Sequence, residues 1–142
     1  EGPVRTNFDA LNTYEVTRKG SKVAVLALGD FYDLGEKTVE ALSSTLGIEA
    51  TLVKPYFASG VDQNLLDNLV KDHDVIVTIE DGIIEGGWGQ NIASYLGTSS
   101  ARVLNYGVKK AFYDRVNIAD LMRESHLDPE LIAADIKQVL GL

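Results

Sequence analysis

The feature that most constrains this chain is the alternation of unbroken apolar runs with amphipathic segments. Val23-Ala24-Val25-Leu26-Ala27-Leu28 is apolar throughout and ends at Gly29, and Val75-Ile76-Val77-Thr78-Ile79 lies at the centre of a similar run from Asp74 to Glu80. Such runs read as strands buried on both faces. Between them, Gly35, Val39, Leu42 and Leu46 share one helical face that stops at Gly47. Asp62 caps a helix whose stripe is Leu65, Leu66, Leu69 and Val70. Further strands are expected at Ala50–Lys54 and Arg102–Tyr106, and Tyr14–Arg18 suits a short edge strand closed by a Lys19-Gly20 turn. One helix carries Trp88, Ile92, Tyr95 and Leu96, and a short one is expected around Ile118 to Met122. The last has Asp128 as cap, Pro129 at its first position, Gly141 as stop and Ile132, Ile136, Val139 and Leu140 as stripe.

Strands that alternate with helices of this length require right-handed crossovers. The expected fold is therefore α/β: a three-layer α/β/α sandwich with a mostly parallel five-stranded sheet and an antiparallel edge strand. A chain of 142 residues suits one domain, and roughly two thirds of its surface can be buried. Apolar content of 45% with 24% charged residues excludes disorder. No apolar run approaches the ~20 residues of a membrane span. With 13 Lys+Arg against 21 Asp+Glu the net charge is −8, which repels phosphate backbones, so no nucleic-acid partner is expected. The absence of cysteine excludes disulfides and thiolate metal sites and fits a reducing, cytoplasmic setting. The chain opens at Glu1 without a basic or apolar leader. It reads as a piece of something larger, with residues 1–13 a linker from an upstream domain and 14–142 the domain.

In open α/β sheets, ligands bind beyond the carboxyl ends of the strands, here Gly29–Asp33, Pro55–Ser59, Glu80–Gly89 and Gly107–Asp114. The densest of these is Glu80-Asp81-Gly82-Ile83-Ile84-Glu85-Gly86-Gly87-Trp88-Gly89. Its glycines do not form a dinucleotide fingerprint, since Ile92 stands where the third glycine belongs, and no Gly-Lys-Ser/Thr follows. Three nearby carboxylates also repel a phosphate. We read the glycines as room for close packing at a helix start, and Trp88 as a core or interface filler. Glu80 and Asp81 are placed as an acid–base pair would be, but adjacent side chains there point different ways and no His, Ser or Lys obviously joins them. Glu80, Asp81, Gly86, Gly87, Trp88 and Gly89 are therefore expected to be an interface, with no catalytic or cofactor-binding residue among them. His73 reads as a helix-end cap and His126 as a turn residue, neither with a second ligand at metal spacing. Lys109-Lys110 reads as solvated. Phe31-Tyr32, Tyr56-Phe57 and Phe112-Tyr113 place aromatic pairs in three of these loops, as a docking face would.

From Tyr14 to Leu140 the order and spacing of these residues resemble the carboxyl-terminal domain of transketolase-like thiamine diphosphate enzymes, most closely that of the 1-deoxy-D-xylulose-5-phosphate synthases. Val77-Thr78-Ile79-Glu80-Asp81 followed by Gly86-Gly87-Trp88-Gly89 resembles the T-[IV]-E-[ED], four residues, G-G-x-G signature of that superfamily. Val103-Leu104-Asn105-Tyr106-Gly107, Phe112 and Leu127-Asp128 follow the synthase tail in spacing. The chain departs from it at Lys109-Lys110, where the synthases usually carry Pro-Asp, and near Val116, where they carry glycine. Of the family's upstream Arg-Tyr-Pro-Arg-Gly segment, only Arg5 matches, at the first arginine.

The resemblance implies a parent enzyme in which this domain shapes a homodimer and buttresses the domains that bind thiamine diphosphate and Mg2+. The cofactor motif itself is not in this chain, because Gly29-Asp30 is followed by Phe31, and Glu80-Asp81-Gly82 lacks the first glycine. Arg5 is the residue it implies for substrate phosphate. The parent reaction implied is condensation of pyruvate with glyceraldehyde 3-phosphate, with loss of CO2, and the isolated chain would be inactive. The same domain in a transketolase or in a 2-oxo acid dehydrogenase beta subunit, or a free-standing binding module, are the alternatives.

Overall fold

The structure is a computed structural model and describes residues 13–56, 60–108 and 122–142. Five strands form one sheet: β1 (Glu15–Arg18), β2 (Lys22–Ala27), β3 (Thr51–Lys54), β4 (His73–Ile83) and β5 (Arg102–Val108), in the order β1-β3-β2-β4-β5. β1 pairs antiparallel with β3, and every other pairing is parallel. Among the described residues, helices α1 (Tyr32–Leu46), α2 (Gln63–Leu69), α3 (Trp88–Tyr95) and α4 (Pro129–Leu140) cross between or follow the strands. This is the mixed sheet with an antiparallel edge that the sequence pattern predicts.

Alternation along the central strands divides the core in two. Val23, Val25 and Ala27 of β2, with Val75, Val77 and Ile79 of β4, face α1 and α4, where Val39, Leu42, Ile132 and Ile136 meet them. Ala24, Leu26 and Ile76 point the other way, against Leu66 and Leu69 of α2 and Trp88 and Ile92 of α3. Val23 to Leu28 is apolar at every position, and Thr78 alone interrupts Val75 to Ile79, because both faces are covered.

The helix ends follow local chemistry. Asp62 accepts the Leu65 N–H, and Asp128 accepts those of Glu130 and Leu131, each satisfying donors that the first turn leaves open. Gly47 and Gly141 close α1 and α4 in the left-handed conformation.

Two strands run further than their glycines predict. β4 continues past Glu80 to Ile83, with a register shift between Ile79 and Ile83, and β5 passes Gly107 to Val108. Gly107 marks a close backbone approach inside the sheet, since a Cβ on it would stand 3.0 Å from the Gly82 carbonyl oxygen, whereas a Cβ on Gly82 would meet nothing within 4 Å. The acidic pair therefore lies within a bulged strand and not beyond its end. Residues 122–124 are helical, while the rest of the short helix expected around Ile118 to Met122, residues 1–12 with Arg5, Phe57, Lys109-Lys110, Phe112 and Tyr113 lie outside the described residues.

Candidate functional site

The glycine-rich segment is organised by Glu80. Its carboxylate leaves β4 towards the start of α3, where Oε1 accepts the Trp88 N–H at 3.1 Å and Oε2 accepts the Gly89 N–H at 2.7 Å. Gly87 occupies the cap position before α3 and has no side chain with which to cap it. Glu80 supplies that cap from the neighbouring strand and places a negative charge at the positive end of the helix. The residue is 5% exposed. Burial pushes its carboxyl above the ordinary range, the Gly89 and Trp88 N–H groups oppose that rise, and Asp81 adds to it.

The glycines make room for this carboxylate. A Cβ on Gly87 would lie 2.4 Å from Glu80 Oε1, and one on Gly89 would lie 2.4 Å from Thr78 Oγ1 and 2.8 Å from Glu80 Oε2. The surface they admit is thus the chain's own. Thr78 Oγ1 in turn donates to Asn105 Oδ1 at 2.6 Å, tying β4 to β5 beneath the helix start. Asp81 diverges from Glu80: it is exposed and lies beside Gly29. One carboxylate is engaged by backbone donors and the other faces solvent, so the pair does not share a substrate-sized space as acid and base.

Trp88 lies in the domain's own core, 3% exposed. Its Nε1–H donates to Tyr14 Oη at 3.1 Å, and the two rings meet edge to face with centroids 6.3 Å apart. Tyr14 Oη donates to the Gly60 carbonyl at 2.6 Å, and the Tyr14 N–H reaches Asp62 Oδ2 at 2.9 Å, opposite the oxygen that caps α2. Burial raises the Tyr14 phenol above its ordinary value. The start of the domain, α2 and α3 are joined through these two aromatic residues.

His73 opens β4 and is buried, with Nδ1 2.8 Å from the Leu69 carbonyl at the end of α2 and Nε2 2.7 Å from Thr51 Oγ1. It does cap a helix, while also bridging to β3. Of the aromatic pairs, Phe31 and Tyr32 pack against the core, and Tyr56 is 53% exposed. Tyr32 and Tyr56 are brought together across Lys54, whose Nζ lies 5.2 Å and 5.9 Å from the two ring centres.

Sequence reasoning missed a second polar cluster. Asp135 Oδ2 accepts from Tyr106 Oη at 2.7 Å and meets His126 Nδ1 at 2.9 Å. The only available signal was Asp135 itself, a carboxylate set beside Ile132 and Ile136 on the inward side of α4. Among the described residues, no group of three or more His, Asp or Glu is arranged to hold a metal ion. With Glu80 committed to α3, the acidic segment does not fit a metal–diphosphate group, and we derive no step through one.

A parallel sheet sandwiched by helices, with an antiparallel edge and a carboxylate-capped Gly-Gly-Trp-Gly turn, defines a class of α/β domain. Residues 12–132 match the family model described as Transketolase, C-terminal domain, and the chain belongs to that family. It is 35% identical to the 1-deoxy-D-xylulose-5-phosphate synthase of Pseudoalteromonas translucida and 32% identical to that of Vibrio vulnificus, over 97% and 98% of its length. It spans 22% of each of those relatives. A split-gene transketolase, solved as an inactive beta4 tetramer, superposes with a TM-score of 0.77 at 24% identity, covering 92% of this chain and 42% of that one.

Proposed function

We propose that this chain is the carboxyl-terminal scaffold of a 1-deoxy-D-xylulose-5-phosphate synthase, inactive by itself, in a cytoplasmic homodimer. The observation that supports the scaffold reading is the Glu80 carboxylate, which lies in the last residues of β4 near the loops where ligands of such sheets bind and is engaged by the Trp88 and Gly89 N–H groups. The similarity to synthases along nearly the whole chain supports the choice of parent. In that parent, the exposed rim of the loop, Asp81 and Gly86, meets a neighbouring domain or the second subunit. Glu80, Gly87, Trp88 and Gly89 hold the rim from beneath. Arg5 contacts the substrate phosphate, and thiamine diphosphate and Mg2+ bind domains outside this chain. The parent joins the two-carbon unit of pyruvate to glyceraldehyde 3-phosphate, giving 1-deoxyxylulose 5-phosphate and CO2.

The test uses the full-length parent. With pyruvate and glyceraldehyde 3-phosphate it is expected to release CO2 and form the deoxy sugar phosphate; turnover with xylulose 5-phosphate instead moves it to the transketolase branch. Sedimentation and turnover are then measured on the same samples of Gly87→Val. Activity is expected to fall in proportion to dimer lost, and a fully dimeric, inactive variant overturns the scaffold reading.

A further inference from the structure

We draw no further inference here: the strongest candidate, the surface patch at the outer edge of β1 where Val16 and Tyr56 are exposed beside Lys54, carries nothing because nothing in the structure shows what covers it.

Discussion

Glu80 and Gly89, nine residues apart, form a lock in which each requires the other: Oε2 accepts the Gly89 N–H at 2.7 Å, and a Cβ on Gly89 would lie 2.8 Å from that same oxygen. The carboxylate needs a glycine in order to approach, and the glycine-headed helix needs a carboxylate to satisfy its first donors. A Glu followed at fixed spacing by Gly-Gly-x-Gly is thereby explained as a strand-to-helix joint.

Gly89→Ala should be costly and Gly82→Ala nearly silent, although both glycines belong to one motif. The alanine methyl at 89 would sit 2.4 Å from Thr78 Oγ1 and 2.9 Å from Asn105 Oδ1, whereas nothing lies within 4 Å of a Cβ on exposed Gly82. Overpacking of this kind costs about 1–3 kcal/mol. Urea midpoints of the two variants check it, and equal midpoints refute the joint.

Glu80→Gln should change how stability depends on pH. Burial holds the folded carboxyl above its ordinary 4.5, so the native state binds this proton more tightly than the unfolded chain does. The stabilisation from Glu80 is therefore fullest below the unfolded value and declines as pH rises through the folded one. The difference in stability between wild type and Glu80→Gln should narrow as pH rises above 4.5. A difference that widens over that range shows that the two N–H bonds outweigh desolvation.

Trp88→Ala should destabilise the domain by about 3–5 kcal/mol, as emptying a core aromatic site does. Trp88→Phe keeps much of the packing and loses the bond from Nε1 to Tyr14, so about 1 kcal/mol is expected. Circular-dichroism melts measure both. If Trp88→Ala melts like wild type but loosens the parent dimer in sedimentation, the ring belongs to the interface.

Thiamine diphosphate with magnesium should give only heat of dilution when titrated into the 142-residue chain. Saturable binding in the micromolar range would show that a cofactor site exists where none of the described side chains supplies one.

Much of the fold was legible because its determinants are local. The run from Val23 to Leu28 is apolar at every position, which only a strand covered on both faces tolerates, and Asp62, Asp128, Gly47 and Gly141 mark helix ends through bonds spanning a few residues. Gly107 misled the reading of where β5 ends because the same residue type serves turns and close strand approaches, and only the neighbouring strand distinguishes them.

The candidate site divides along the same line. The motif from Glu80 to Gly89 and the divergence of Glu80 from Asp81 were visible in the order of residues. That the glycines admit Glu80 itself, that Trp88 meets Tyr14 across 74 positions, and that Tyr106 and His126 converge on Asp135 was decided only by tertiary structure. Periodicity and caps act within a turn or two of chain, so the sequence alone determined the strands, the helices and their faces. A side chain's partner depends on sheet register and on which helix lies over which strand, so packing decided whether a buried carboxylate became a cap or a catalyst.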